Sequence, residues 1–563
     1  MDFSSTERAL SSLQRRKPSL SPKVVTLANT LQSIHKSTTN TKTSALTNPI
    51  FNPQYVKCTT DLLRIGTVGE GEEEEEQSDS KIVDTDAPIQ AQRQESSTHE
   101  SKALLLRWEP LAVGLHLTAT YLQNATSFYC NNNGSNQNVV YMDGPRVPSI
   151  APSQTPSPSS PHESKDDDIN GTSTSSNTAN IDENQLLQFS QFIMTICQTH
   201  LEHNEPRVRS LVAKVVGEHT KLGTSLYTQN HTLGRTIIDR SIALYHTTNT
   251  SLKEHLASGR DTKNKSKSSD GALDDTTGWR ALETNIFGLG SFVHASGALY
   301  FELIRPQQEQ KEGKEDNDHD PSSNLKKEYV MDETLLENLE YCCITHVNRH
   351  VRAAALALLE QMVHACASSI DKQSSNANTD NTEKNEVDHG VMEFLLSPKA
   401  SLRKTILKIL KVTLADNWSQ VRMAASVLCR VFYVTLLDYA ERHPSIISQA
   451  DTWLTSTYPL LLPRMCLNRF YLAQGVKLYS HDTWRIIFER SEQYGCMGGV
   501  ESVALNAAPI CRYYVQMCDA DNHVVREAAC QAVAELATKL GRSVKFSEYL
   551  APYVVMLLQV CFV

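Results

Sequence analysis

The sequence predicts an all-α protein built from repeated pairs of helices. A short Val-Arg motif recurs four times between stretches whose apolar residues have helical spacing. The copies are Val208-Arg209, Val351-Arg352, Val421-Arg422 and Val525-Arg526. No stretch alternates with the period of two that is typical of a strand. Polar segments rich in Ser, Pro, Asn and Asp separate the apolar stretches. Together these observations favour a helical-repeat architecture with long insertions.

The third copy shows how one repeat is expected to be built. Apolar residues recur at helical spacing over residues 401–415, which predicts an amphipathic helix. Asp416 is expected to end that helix and to cap the next, because a carboxylate accepts hydrogen bonds from exposed helix N–H groups. Val421 then opens the apolar face of a second helix. Arg422 is expected to reach back to an acidic or carbonyl group of the turn, so we interpret it as structural.

This pattern resembles the HEAT-repeat family, a relative of the armadillo repeats. In that family the turn carries an Asp, and Val-Arg opens the second helix five and six positions later. Asp416, Val421 and Arg422 fit this spacing. Pro509 and Pro552 stand where the family often places a first-helix proline. The resemblance implies a HEAT/armadillo-like α-solenoid, a fold that presents an extended surface for partners but says little about function.

The other copies depart from the family pattern in part. His346 stands at the Asp position of the second copy, and Ala520 stands there in the fourth. The last three copies share Val-Arg-x-Ala-Ala, whereas the first lacks the alanine pair. The resemblance therefore covers residues 183–563 discontinuously.

The chain divides into four regions by composition. Residues 1–101 are predicted to be mostly disordered, first basic and then acidic, with a run of glutamates at 72–76. Residues 102–143 form a predicted N-terminal helical segment, and residues 144–182 a Ser/Pro-rich disordered linker. The predicted solenoid occupies residues 183–563.

Within the solenoid region, helices alternate with disordered insertions near residues 252–275, 306–328 and 370–388. These insertions have too few apolar residues to offset the entropy of ordering the chain, and in a repeat protein they map to loops. The predicted helical stretches cover about residues 184–200, 207–222, 231–247, 279–301, 332–345, 349–369, 391–440, 452–494 and 500–541.

The apolar stretch from Leu550 to Val563 resembles the first helix of a further repeat, with no second helix after it. A terminal repeat is expected to carry a polar outer face. We therefore expect that the natural protein continues beyond this point, with docking of the apolar end as the alternative.

Charge and cysteine usage limit the class of protein. The 563 residues carry a net charge of −10, so the sequence gives no strong signal for nucleic-acid binding. The 13 cysteines form no C-x-x-C pair, which favours a reducing compartment, the cytoplasm or nucleus.

The Ser/Thr-rich basic N-terminus leaves an organelle transit peptide open as an alternative. No apolar run has the length of a membrane span, so no membrane association is predicted.

The sequence contains no recognisable catalytic, phosphate-binding or metal-binding motif, so we predict a protein that is not an enzyme and has no cofactor. The favoured function is a non-catalytic scaffold that binds protein partners along a solenoid surface. One alternative is a transport-receptor-like protein or a microtubule-associated protein of the TOG type. Another is the regulatory portion of a larger protein.

Two features are candidate functional positions. Trp418 lies in a predicted turn, where an exposed tryptophan would suit a partner contact, although it could instead fold back onto its own repeat. The tubulin-binding TOG subfamily of HEAT proteins uses an aromatic and basic residues on such turns. Thr155, Ser157 and Ser160 each precede a proline in the Ser/Pro-rich linker and are candidate phosphorylation sites, with an unmodified linker as the alternative.

The repeat positions themselves are interpreted as stacking residues rather than binding residues. This set comprises Val351, Arg352, Asp416, Val421, Arg422, Val525 and Arg526.

Overall fold

The computed structural model describes the chain in segments. They cover residues 53–68, 111–127, 183–227, 230–265, 279–305, 329–368, 389–443, 452–493 and 498–540, with individual positions between 24 and 33. Of these residues 87% are helical and none lies in a strand, which confirms the predicted all-α class. The glutamate run, the linker at 144–182 and the apolar stretch from Leu550 lie outside the described residues.

We number the longer helices of these segments α1 to α14. Their bounds are Pro53–Val68 (α1), 111–127 (α2), Glu183–His200 (α3), Pro206–Tyr227 (α4), His231–Lys265 (α5), Trp279–Ser296 (α6), Glu333–Ile344 (α7), Arg349–Ala367 (α8), Ser401–Thr413 (α9), Ser419–Arg442 (α10), Tyr458–Asn468 (α11), Gln474–Gln493 (α12), Ala507–Cys518 (α13) and His523–Leu540 (α14). Shorter helical turns lie at Gly297–Leu299, Tyr300–Leu303, Gly390–Met392, Glu393–Leu396 and Gly499–Leu505.

The helices pack in successive pairs, α7 with α8, α9 with α10, α11 with α12, and α13 with α14. Each pair also contacts the next. Helices α5, α7, α9, α11 and α13 lie side by side in one row, and α4, α6, α8, α10 and α12 form a second row. Buried apolar residues from helices of both rows form one continuous cluster.

Small residues of the Val-Arg motifs allow close approach between neighbouring helices. The second alanine of the last three motif copies, at Ala355, Ala425 and Ala529, is fully buried. A larger side chain there would push neighbouring helices apart, because protein interiors are close-packed.

Two apolar clusters make up most of the described core. One extends from Ile238 to Leu536, and the other extends from Val24 to Leu244. Helix α5 supplies residues to both clusters, so it joins the N-terminal helices to the later pairs.

Helix α5 is longer than the composition of its sequence indicates. It continues to Lys265, whereas the predicted helix ended near residue 247 and an insertion was expected from residue 252. Leu252 and Leu256 lie one turn apart and are both buried, which holds this polar stretch in the helix.

One helix of the described segments, α10, is long and apolar enough to span a membrane by length and composition. However, 61% of its most apolar window is buried inside the protein. Phe432 and Tyr433 are fully buried among its neighbours, which is the environment of a core helix.

Candidate functional site

The turn between α9 and α10 is organised by Asp416. Helix α9 ends at Thr413 and α10 begins at Ser419. The Asp416 carboxylate accepts a hydrogen bond of 2.9 Å from the backbone N–H of Trp418. Asp416 is itself buried, so water does not compete for this bond and the bond helps to fix the turn.

Histidines take the same role in two other turns. The Nδ1 atom of His203 accepts from the N–H of Glu205 at 3.0 Å, and Nδ1 of His346 accepts from the N–H of Asn348 at 3.1 Å. An unprotonated imidazole nitrogen is an acceptor, as a carboxylate oxygen is. Burial lowers the pKa of His203, which favours this unprotonated state. The histidine at the Asp position therefore preserves the geometry of the turn.

Arg422 is a fully buried cation at the start of α10. Its Nε donates to the carbonyl oxygen of Asp416 at 2.9 Å, and a terminal nitrogen donates to Asn468 Oδ1 at 2.7 Å. The guanidinium also lies 4.2 Å from the centroid of the Tyr471 ring. These contacts offset part of the desolvation cost of the charge and connect one helix pair to the next.

The other motif arginines also bond to backbone carbonyls of their own turns. Arg209 donates to His203 and Asn204, Arg352 to Cys343, and Arg526 to Ala520 and Asp521. The four arginines thus share one local function, which is to satisfy carbonyl groups in the last turn of the preceding helix or in the loop just after it.

Three of the arginines extend this contact to a neighbouring element. Arg352 forms an ion pair with Asp416 of the following turn, and Arg209 lies 3.6 Å from Glu283 on α6. Arg422 likewise bonds to Asn468, the last residue of α11 in the following pair. The Val-Arg positions therefore link successive pairs, which is a structural role.

A further turn has the same arrangement of a buried valine followed by a cation, and the Val-Arg motif did not predict it. Helix α12 begins at Gln474, and Val476 is buried at its third position, as Val421 is in α10. Lys477 follows where the other turns carry Arg. The Val-Lys pair could have been found by allowing either cation, but the alanine pair that marks the other copies is absent here.

Three successive turns expose a large apolar side chain. Val347 lies between α7 and α8, Trp418 between α9 and α10, and Leu472 between α11 and α12. Their exposed fractions are 53%, 50% and 60%. We call these three residues the turn-edge strip. The three described turns that carry it have no exposed carboxylate, because Asp416 is buried.

Trp418 packs against the preceding turn while half of its surface stays exposed. The guanidinium of Arg349 lies 4.8 Å from the centroid of its ring, within the range of a cation–π contact. Arg349 is the first residue of α8. The ring is therefore held at the edge of the stack, next to an exposed positive charge.

A buried polar cluster elsewhere has the residue types of a catalytic site but not its accessibility. His219 is fully buried on α4 and bonds to Ser190 on α3 at 2.7 Å and to Ser241 on α5 at 2.9 Å. Burial, with a smaller effect of Arg240, lowers the pKa of His219 to about 3. Both ring nitrogens are occupied and solvent does not reach the ring, so this cluster joins three helices.

A small pocket lies near the last helix pairs. Arg469 is its central charge, 4.1 Å from the centroid of the Trp484 ring and bonded to Glu535 at 2.7 and 3.3 Å. The arginine and the carboxylate neutralise one another. This pair links the end of α11 to α14 and leaves no excess charge for an ionic ligand.

The predicted site residues thus fall into separate groups. The structure brings Arg352 and Asp416 together, and it places Trp418 at an exposed edge. Val351, Val421 and Val525 are buried at the starts of their helices. The candidate phosphorylation sites Thr155, Ser157 and Ser160 lie outside the described residues. Val347 and Leu472 were not predicted, because neither residue type signals an exposed position.

No family model and no curated protein matches this chain.

Proposed function

We propose that the protein is a non-catalytic scaffold whose helix pairs form a HEAT-like solenoid, and that the turn-edge strip is its contact surface for a protein partner. Three features support the solenoid. Successive pairs contact their neighbours, the Val-Arg arginines bond to carbonyl groups at their own turns, and three of the four also reach a neighbouring element. Repeats of this kind bury one continuous core and leave extended edges for binding.

The observation that carries the contact surface is that Val347, Trp418 and Leu472 are exposed on three successive turns. Exposed apolar side chains scattered singly are normal, whereas a row of them next to one another is typical of interaction sites. Tryptophan is also enriched among the residues that contribute most to binding. Arg349 adds a positive charge, which favours a partner with apolar and acidic groups at its contact face.

The test is a comparison of partners bound by the wild-type protein and by a Trp418→Ala, Leu472→Ala double variant. We expect the wild type to capture one or more proteins from cell extract, and we expect the variant to capture at least tenfold less of them. The matched control is Leu505→Ala, since Leu505 is 61% exposed but lies on the short helix Gly499–Leu505. If the wild type, the double variant and the control capture the same proteins in the same amounts, the turn-edge strip is not the contact surface.

The microtubule-associated alternative is favoured by one observation, the pairing of Trp418 with Arg349 at adjoining turns. This arrangement is similar to the aromatic and basic turn residues of the TOG subfamily. A tubulin contact would make the purified protein pellet with microtubules, and Arg349→Glu would abolish pelleting. Wild-type protein that stays in the supernatant would remove this alternative while leaving the scaffold proposal in place.

A further inference from the structure

The arginine in the pocket near the last helix pairs has a hydrogen-bond donor that the protein itself does not use. Arg469 is 6% exposed, and its Nη1 and Nη2 atoms donate to the Glu535 carboxylate at 3.3 and 2.7 Å. Its Nε atom is buried and has no hydrogen-bond partner in the part of the chain that the structure describes. A buried donor without an acceptor costs free energy, so this nitrogen points to a bound group.

Arg469 lines a cavity that is large enough to hold such a group. The cavity has a volume of about 40 Å³. One water needs about 10–15 Å³, so there is room for about three waters or for one ligand group of that size. Val500 also lines the cavity and is 60% exposed, which shows that the cavity reaches the surface. A small group can therefore enter from solvent.

Packing within the protein fixes one wall of the cavity. The ring of Trp484 lies with its centroid 4.1 Å from the Arg469 guanidinium and 4.3 Å from the centroid of the Phe488 ring. A Cβ atom at Gly499 would lie 2.9 Å from the indole ring, so a residue without a side chain is needed there. The wall is thus formed before any ligand binds, as in most small-ligand sites.

The charges of the cavity favour an uncharged ligand. Arg469 and Glu535 are the charged residues that line it, and they are paired with each other. An anionic ligand would be repelled by Glu535 and a cationic one by Arg469, in surroundings that only partly solvate either ion. The ligand must still offer an acceptor to the Nε–H group. It can also donate to Glu535, because a carboxylate has about four acceptor sites and Arg469 takes two of them.

We propose that this cavity is a binding site for a carboxamide group. A carboxamide is planar and uncharged, and it carries both an acceptor oxygen and an NH₂ donor. Its oxygen accepts from Arg469 Nε, and its nitrogen donates to Glu535. The carbon that bears it packs against the apolar lining, which includes Trp484, Val503 and Leu536. The group comes either from an Asn or Gln side chain of a protein partner or from a free small amide.

The test uses three probes of one shape and different charge, which are acetamide, acetate and acetamidinium. Each is titrated against the full chain, and binding is followed by saturation-transfer NMR of the probe methyl protons. We expect saturable binding of acetamide, with an affinity at least about tenfold higher than that of either ion. The absence of saturable acetamide binding, or equal affinity for all three probes, would overturn the proposal.

Two variants test whether the amide binds in this cavity. Val503→Phe enlarges a lining side chain, and Arg469→Lys keeps a cation beside Glu535 but removes the Nε–H group. Each should lower the affinity for acetamide at least about tenfold. Leu505→Phe is the matched control, because Leu505 lies on the same short helix as Val503 but is 61% exposed and does not line the cavity. It should keep the wild-type affinity.

Thermal melting verifies that each variant is folded, and the second cavity variant keeps the test decisive if the first one unfolds. Wild-type acetamide affinity in the folded cavity variants would place the amide elsewhere and overturn the assigned site.

Two pentapeptides distinguish the sources of the carboxamide. They are alanine peptides with Gln or Glu at the centre, so only the side-chain amide differs between them. A Gln peptide that binds at least about tenfold tighter than acetamide would identify a partner side chain as the source. A Gln peptide that binds no tighter than acetamide would identify a free small amide. A Glu peptide that binds saturably with the same affinity as the Gln peptide would contradict recognition of a carboxamide.

Discussion

At the scale of the residue, the main feature is a charged side chain at a buried turn. A guanidinium presents donors in a planar fork and an apolar face, so it can satisfy a carbonyl, bond to a second polar group and stack on a ring at once. Arg422 makes all three contacts, with Asp416, Asn468 and Tyr471. Arg526 occupies the same motif position but is only partly buried and bonds to its own turn.

This difference predicts unequal effects of the same substitution. Arg422→Met should lower the free energy of unfolding by about 3 kcal/mol, because it leaves the buried Asn468 oxygen and a turn carbonyl without their donor. Arg526→Met should cost about 1 kcal/mol, since water can replace its contacts. Urea unfolding followed by circular dichroism would compare the two variants. Equal losses would show that the link to Asn468 contributes nothing.

At the scale of the element, helices α3, α4 and α5 are joined by the bridge from Ser190 through His219 to Ser241. Each ring nitrogen forms one hydrogen bond with a serine hydroxyl, and the tautomer of the ring decides which of the two nitrogens is the donor. A proton added to the buried ring would bring an unpaired charge into the core. This group of helices should therefore be stable only while the histidine is neutral.

A pH dependence follows from the lowered pKa of His219. Its pKa is about 3 in the folded protein and near the ordinary value of 6.5 when unfolded, so the unfolded state binds the proton more readily. The contribution to stability is complete above pH 6.5 and is lost as the pH falls toward 3. The loss at pH 5 is about 2 kcal/mol.

Thermal melting between pH 7.5 and 5 measures this loss. The variant His219→Gln keeps a polar side chain but cannot titrate. We expect its melting temperature to fall less with pH than that of the wild type, even if it begins lower. Parallel pH profiles for the two proteins would exclude His219 as the source.

At the scale of the whole molecule, stabilising contacts run mainly between neighbouring helix pairs. Helix α10 contacts α8, α9 and α12, and α4 contacts α3, α5 and α6. In such an arrangement stability is nearly a sum of local terms, and a damaged pair disturbs its neighbours first.

Overpacking one pair should therefore have a local effect. Ala425→Leu adds volume at a fully buried position of α10 and should cost about 1–3 kcal/mol. Hydrogen exchange measured by mass spectrometry should become faster in α8 to α12 and stay unchanged in α3 and α4. Uniform acceleration along the chain would indicate one cooperative unit instead.

Much of the secondary structure could be read from the sequence, because apolar spacing at 3.6 residues reports directly on a buried helix face. The helix pairs around Arg352 and Arg422 are examples. The end of α5 could not be read in this way, since only Leu252 and Leu256 mark its buried face within a polar stretch. The turn at Val476 and Lys477 was also missed, because its helix lacks the alanine pair.

The candidate surface was less predictable than the helices. Trp418 could be singled out because tryptophan in a turn is unusual. Val347 and Leu472 could not, since valine and leucine are normally buried and only the packed structure shows that these two point outward. The stacking of Arg349 on Trp418 joins residues from different turns, and no local pattern encodes that contact.

The sequence by itself determined the all-α class, the positions of most helices and the motif that begins their second members, because these depend on local periodicity and turn chemistry. The tertiary structure alone decided which helices are neighbours, which arginine reaches the next pair, and which apolar side chains remain exposed. These outcomes depend on contacts between residues distant in the chain, and such contacts are set by how whole helix faces pack.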